Sequence, residues 1–199
     1  MKRTVQHFPL IAGGIFLLTA AFSIVYAFFS DTGSVGFRIM LSEYIGRSGI
    51  MSVLYAAVTA VMTALLGISL HKKKMNNIRK FLYVLILLSF LVTGFCPLRG
   101  GGVNLLLSFT GLIHVLAELI VLGLTAIVSL LAAIFAKSKA QRIVGLLPVL
   151  YTVIILTAPQ IIRESLFFWE IIFIMQPILN LQAEQNGEPA DQKQPAAAF

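Results

Sequence analysis

The chain alternates between long apolar runs and short polar segments. The first apolar run covers residues 8–29. It reaches the roughly 20 residues that a helix needs to cross a bilayer. Pro9 suits its start, because the missing N–H would be unpaired there anyway. Lys2 and Arg3 before the run, and Val25-Tyr26-Ala27 near its end, leave a cleaved signal peptide as the alternative. The run exceeds the usual 7–15 residues of a signal core, which favours a retained helix. Further runs predict spans at about 50–70, 81–98, 112–136, 143–159 and 165–182. The 34-residue stretch 103–136 is too long for one ordinary span, so 103–110 reads as an interfacial or re-entrant lead-in. On the second span Ser52, Ala56, Ala60 and Ala64 form a small-residue ridge for close helix approach. Residues 160–164 read as a tight polar turn, and 183–199 as a disordered polar tail. The expected fold is therefore an all-α integral membrane protein. It would be a six-transmembrane-helix bundle over residues 1–182, with both termini cytoplasmic.

Composition agrees with this pattern. Of 199 residues, 58% are hydrophobic and only 12% charged. Soluble domains carry about 25% charged residues. A chain this small has too little interior to hide so much apolar surface. The net charge of +7 does not indicate nucleic acid, because the basic residues sit in loops between spans and read as topology signals. With the N-terminus inside, eleven Lys/Arg fall on cytoplasmic segments, five of them in HKKKMNNIRK (71–80), against Arg38, Arg47, Arg99 and Arg163 outside. That basic segment reads as a positive-inside anchor, with contact to anionic headgroups as the alternative. The single cysteine, Cys96, excludes an intramolecular disulfide and a cysteine-based metal cluster.

Ionisable side chains inside hydrocarbon are costly and mark functional candidates. Three qualify: His114, Glu118 and Glu170. At 1.5 Å per residue they lie roughly 3, 9 and 7–8 Å from the outer ends of their helices, which is one layer. His114 and Glu118 are four apart and share a helix face. Arg99 and Arg163 belong to the turns at the same level, and Asp31 to the loop above. Trp169, with Tyr26 and Tyr44, reads as an aromatic-belt anchor. The inner half of the bundle reads as almost wholly apolar, which argues against an ion path through the membrane. The layer supports three readings. The carboxylates could pair with Arg99 and Arg163 to fix packing. His114, Glu118, Glu170, Arg99, Arg163, Asp31 and Trp169 could form a binding pocket for a lipid or amphiphile. His114 and Glu118 could act as general acid and base in a lipid hydrolase or acyltransferase. A scaffold for another membrane protein is a further possibility. No metal site or cofactor motif is present: HxxxE without a second histidine is a weak metal signal, and GxGxxG and P-loop patterns are missing.

Ser30-Asp31-Thr32-Gly33 after the first span, Phe95-Cys96-Pro97 ending the third, His114 early in the fourth, and Arg163 with Trp169 at the sixth form an ordered set. In order and spacing the chain resembles the prokaryotic six-helix membrane family of domain of unknown function nine-nine-eight. The SDTG element also resembles Frag/DRAM/Sfk-type membrane proteins, which are linked to membrane-lipid organisation. The resemblance covers about residues 8–182. It implies a six-helix fold in a cell membrane, that of a bacterium for the prokaryotic family, and no settled activity. In that family an acidic residue often follows the proline ending the third helix. Here Leu98 and Arg99 follow Pro97, a sign change that could suit a phosphate headgroup.

Overall fold

The computed structural model describes residues 7–29, 41–46, 48–73, 75–96 and 108–186, without the side chains at 155, 156, 159, 162, 163, 185 and 186. These residues form eight helices: α1 (Phe8–Phe29), α2 (Leu41–Gly46), α3 (Gly49–His71), α4 (Asn77–Phe95), α5 (Phe109–Ile134), α6 (Lys139–Thr157), α7 (Pro159–Glu164) and α8 (Leu166–Asn186). Five of them, α1, α3, α4, α5 and α8, are long and apolar enough to cross a membrane. The chain is thus a multi-pass membrane protein. The 26 residues of α5 span about 39 Å, more than the roughly 30 Å hydrocarbon core, so α5 fits it tilted.

Helix starts follow local sequence. Ser48, Asn76, Ser108 and Ser138 cap α3, α4, α5 and α6, each accepting a hydrogen bond from an amide of the first turn. At Ser138 the cap is reciprocal, with Gln141 accepting from the Ser138 N–H at 3.2 Å.

The long helices pack in a closed order: α1 on α3, α3 on α4, α4 on α5, α5 on α6, and α8 against α6, α5 and α1. The outer surface is apolar, with Leu18, Ile50, Val53, Phe81 and Ile143 exposed. Buried positions include Thr19, Ser23, Thr59, Thr93 and Ser129. This distribution suits a lipid solvent, where small and hydroxyl residues let helices approach. Many of those hydroxyls bond to their own helix, as Thr19 does to the Ile15 carbonyl at 2.9 Å and Ser23 to Thr19 at 2.7 Å.

The structure departs from the sequence reading in several places. The expected ridge at 52, 56, 60 and 64 is packed only at its start: Ser52 is buried, Ala56 and Ala60 are half-buried and Ala64 is exposed, while Tyr55, Thr59, Met62 and Leu66 are buried. The close approach is at Thr59, which sits where a side chain on Gly94 of α4 would project. The expected turn at 160–164 is the helix α7, started by Pro159, a residue whose fixed φ favours a first helical turn. Residues 183–186 continue α8, and Glu184 is buried. The remainder of the expected tail and most of the lead-in 103–110 lie outside the described residues.

Gly145 marks the tightest contact between α5 and α6. A Cβ there would come within 2.6 Å of the Ser129 carbonyl and 2.8 Å of the Ala133 nitrogen. Gly145→Ala is expected to destabilise the protein by about 1–3 kcal/mol. Gly67→Ala, with nothing within 4 Å, is expected to be neutral or to stabilise by up to about 1 kcal/mol through helix propensity. Thermal unfolding in detergent, comparing the two variants, checks both signs.

Candidate functional site

The α4 helix ends at Phe95, so the last carbonyls of its final turn have no intrahelical donor. His114, in the second turn of α5, supplies one. Its Nδ1 lies 2.7 Å from the Cys96 carbonyl oxygen. A carbonyl only accepts, so Nδ1 carries a proton. The other ring nitrogen, Nε2, lies 2.9 Å from Glu118 Oε1. With Nδ1 committed as donor, the ring is fixed with Nε2 facing the carboxylate. His114 is 1% exposed, whereas the Glu118 side chain is 28% exposed. The pair is therefore anchored at the buried imidazole and open at the carboxylate. Oε2 of Glu118 has no hydrogen-bond partner among the described residues.

Glu170, on α8, is buried. Both of its oxygens accept from the Ser42 amide at the start of α2, at 3.1 and 3.2 Å. Glu118 and Glu170 lie close enough for charges on them to interact, and the buried Tyr55 of α3 lies near both. The structure thus brings His114 and Glu118 into contact and sets Glu170 within electrostatic reach. Asp31 and Arg99 lie outside the described residues, and Arg163 lies on α7 with its side chain undescribed. Among the described residues neither Glu118 nor Glu170 pairs with Lys or Arg. No group of three His, Cys, Asp or Glu among them could hold a metal ion.

Trp169 is not a belt residue. It is buried between α6 and α8, edge-on to Tyr151 at 6.0 Å and tilted against Phe173 at 5.9 Å. Tyr44 is also buried, edge-on to Phe167 at 6.0 Å. An aromatic belt needs rings facing headgroups, and these rings pack inside the protein instead.

The half of the bundle away from the His114 layer is not wholly apolar. Down α8 run Gln176, Asn180 and Glu184, all buried and roughly 9, 15 and 21 Å along the helix from Glu170. Each ties to a different neighbour. Asn180 donates to Ser129 of α5 at 2.6 Å and accepts from Gln176 at 3.2 Å. Glu184 meets Arg79 of α4 at 3.1 Å and Lys73 at 3.6 Å, so two cations of the basic segment serve an ion pair. Gln176 donates to the Val144 carbonyl at 2.8 Å. Val144 is four residues before Pro148, which has no N–H to complete the helical bond. Gln176 supplies the missing donor. A search restricted to charged residues within spans misses this column. The i, i+4, i+8 spacing of Gln176, Asn180 and Glu184 was its sequence signal.

Beyond the close contact at Gly145, a cleft of about 150 Å³ lies between α5, α6 and α8. Its wall includes Leu122, Ala126, Pro148, Tyr151, Thr152 and Phe173, with Gln176 and Thr125 also lining it. The Thr125 hydroxyl is buried there with no partner among the described residues. Leu122 is one helical turn from Glu118 on the same face. The open carboxylate and the apolar cleft are thus neighbours along α5.

Comparison with protein-family models, curated proteins and solved structures finds no match to this chain.

The Val144 carbonyl yields a double-mutant prediction. Gln176→Leu leaves that buried carbonyl unsatisfied and is expected to cost about 1–3 kcal/mol. Pro148→Ala restores an N–H at position 148. In that background the penalty of Gln176→Leu is expected to shrink by about 1 kcal/mol or more, a coupling measurable by a double-mutant cycle of detergent unfolding.

Proposed function

We propose that this is a six-span membrane protein, with α6 as the additional crossing and both termini cytoplasmic, that binds a lipid or amphiphile from the outer leaflet. The eleven-to-four distribution of Lys and Arg supports that orientation. The resemblance to the six-helix prokaryotic family, and to proteins of membrane-lipid organisation, points the same way. The observation that carries the reading is the pairing of an open Glu118 carboxylate with an apolar cleft one turn away. A polar head has a hydrogen-bonding partner at the first, and an alkyl chain has an apolar seat in the second. The cleft is mostly apolar with a few polar groups, and its volume of about 150 Å³ is below the size of a typical small-molecule site, so it seats part of an alkyl chain and not a whole lipid.

A second reading is catalytic. A histidine fixed at Nδ1 by a backbone carbonyl and hydrogen-bonded at Nε2 to a glutamate is oriented as an acid–base pair. In this reading Glu118→Gln keeps the fold and abolishes turnover of a lipid ester, with unchanged lipid binding. The binding reading expects the reverse: lost binding and no turnover in either protein.

Native mass spectrometry of the purified protein titrated with phospholipids tests the main proposal. Retained lipid is expected to fall about tenfold or more in Glu118→Ala, the order of a lost hydrogen bond to a charged group. Equal retention by wild type and variant rejects it. Orientation is checked separately: an impermeant thiol reagent is expected to label Cys96 from outside the cell, and labelling only after permeabilisation reverses the topology.

A further inference from the structure

We infer that the head group this site selects is a protonated amine carrying N–H donors, on a molecule whose alkyl chain enters the cleft; the inference rests on the binding reading above. The described part of the layer is an acceptor surface. Glu118 and Glu170 are mutually within electrostatic reach, and no Lys or Arg pairs with either among the described residues. Of the two, Glu170 is already committed, with both oxygens on the Ser42 amide. Glu118 uses Oε1 toward His114 and leaves Oε2 in the partly open position. An anionic head would bring its own acceptor oxygens to Glu118 Oε2, which is itself an acceptor. A neutral hydroxyl could donate one ordinary hydrogen bond. An ammonium gains a charge-assisted bond in a low-dielectric setting, roughly twice as strong as a neutral one. The chain requirement comes from the cleft, whose lining is apolar apart from a few groups such as Thr125 and Gln176.

The molecule contains its own reporter. Trp169 is the single tryptophan, and it packs edge-on against Tyr151, which lines the cleft. Occupancy of the cleft should therefore change indole emission. The experiment places the full chain in phosphatidylcholine nanodiscs, whose quaternary head has no N–H to donate. Decylammonium, decanol, decyl phosphate and butylammonium are titrated while Trp169 fluorescence is read.

The expected result is saturable binding of decylammonium about tenfold or more tighter than decanol, the scale of one charge-assisted bond. Decyl phosphate is expected to be the weakest of the three long-chain probes. Glu118→Gln is expected to bring decylammonium and decanol within about twofold of each other, and Glu118→Asp, which keeps the charge, to retain a preference for the amine. Equal affinity for decylammonium and decanol in wild type, preference for decyl phosphate, or an amine preference that survives Glu118→Gln overturns the inference and leaves lipid binding standing. Butylammonium binding as tightly as decylammonium overturns the chain requirement and makes the ligand a soluble amine. No saturable response to any long-chain probe overturns the binding proposal itself.

Discussion

In hydrocarbon, an unsatisfied backbone or side-chain polar group has no water to turn to, and the solvent gives helices no hydrophobic reason to associate. The way α8 is held follows from that constraint. Its buried Glu170, Gln176, Asn180 and Glu184 reach α2, α6, α5 and α4 in turn. The contact at Gln176 is the most instructive. Pro148 opens the α6 ladder, and an amide from another helix fills the gap. A local defect in one helix becomes a specific address for another. Buried polar ties of this kind add modest net stability and specify one arrangement among many.

The same accounting separates structural polar groups from the candidate site. Glu170, Gln176, Asn180 and Glu184 of α8 are engaged with described partners. Glu118 is different. Its histidine is committed on one side to the end of α4, and its own carboxylate is only partly covered. Held on the inside and available on the outside, it has unused capacity beside the cleft, as the buried Thr125 hydroxyl has within it. His114 has two roles here: it closes the backbone of α4 and holds one oxygen of its partner's carboxylate in place.

Much of the fold was legible in the sequence because lipid imposes a coarse, strong signal. Apolar runs of spanning length, capped by Ser or Asn and separated by basic or glycine-rich segments, mark where helices lie. His114, Glu118 and Glu170 stood out for the same reason, since charge in an apolar run is conspicuous. What could not be read was which helix faces meet. The ridge at 52–64 had the right residue sizes, yet packing uses the neighbouring face, where Thr59 meets Gly94. Trp169 and Tyr44 lie near helix ends, as belt residues do, but tertiary packing turned them inward. The amides at 176 and 180 were overlooked because they are uncharged, and their partners are a carbonyl exposed by a proline and a serine some fifty residues upstream. Neither partner announces itself in a hydropathy pattern.

The order of the chain gives the α8 contacts a further meaning. Synthesis proceeds from the N-terminus, so earlier helices emerge before later ones. Ser129, the Val144 carbonyl and Arg79 all precede α8, and each receives its partner only when α8 arrives. Until then these polar positions on the earlier helices lack the partners that α8 supplies. Insertion of α8 closes these positions together, so helices made at different times are locked by a single later one.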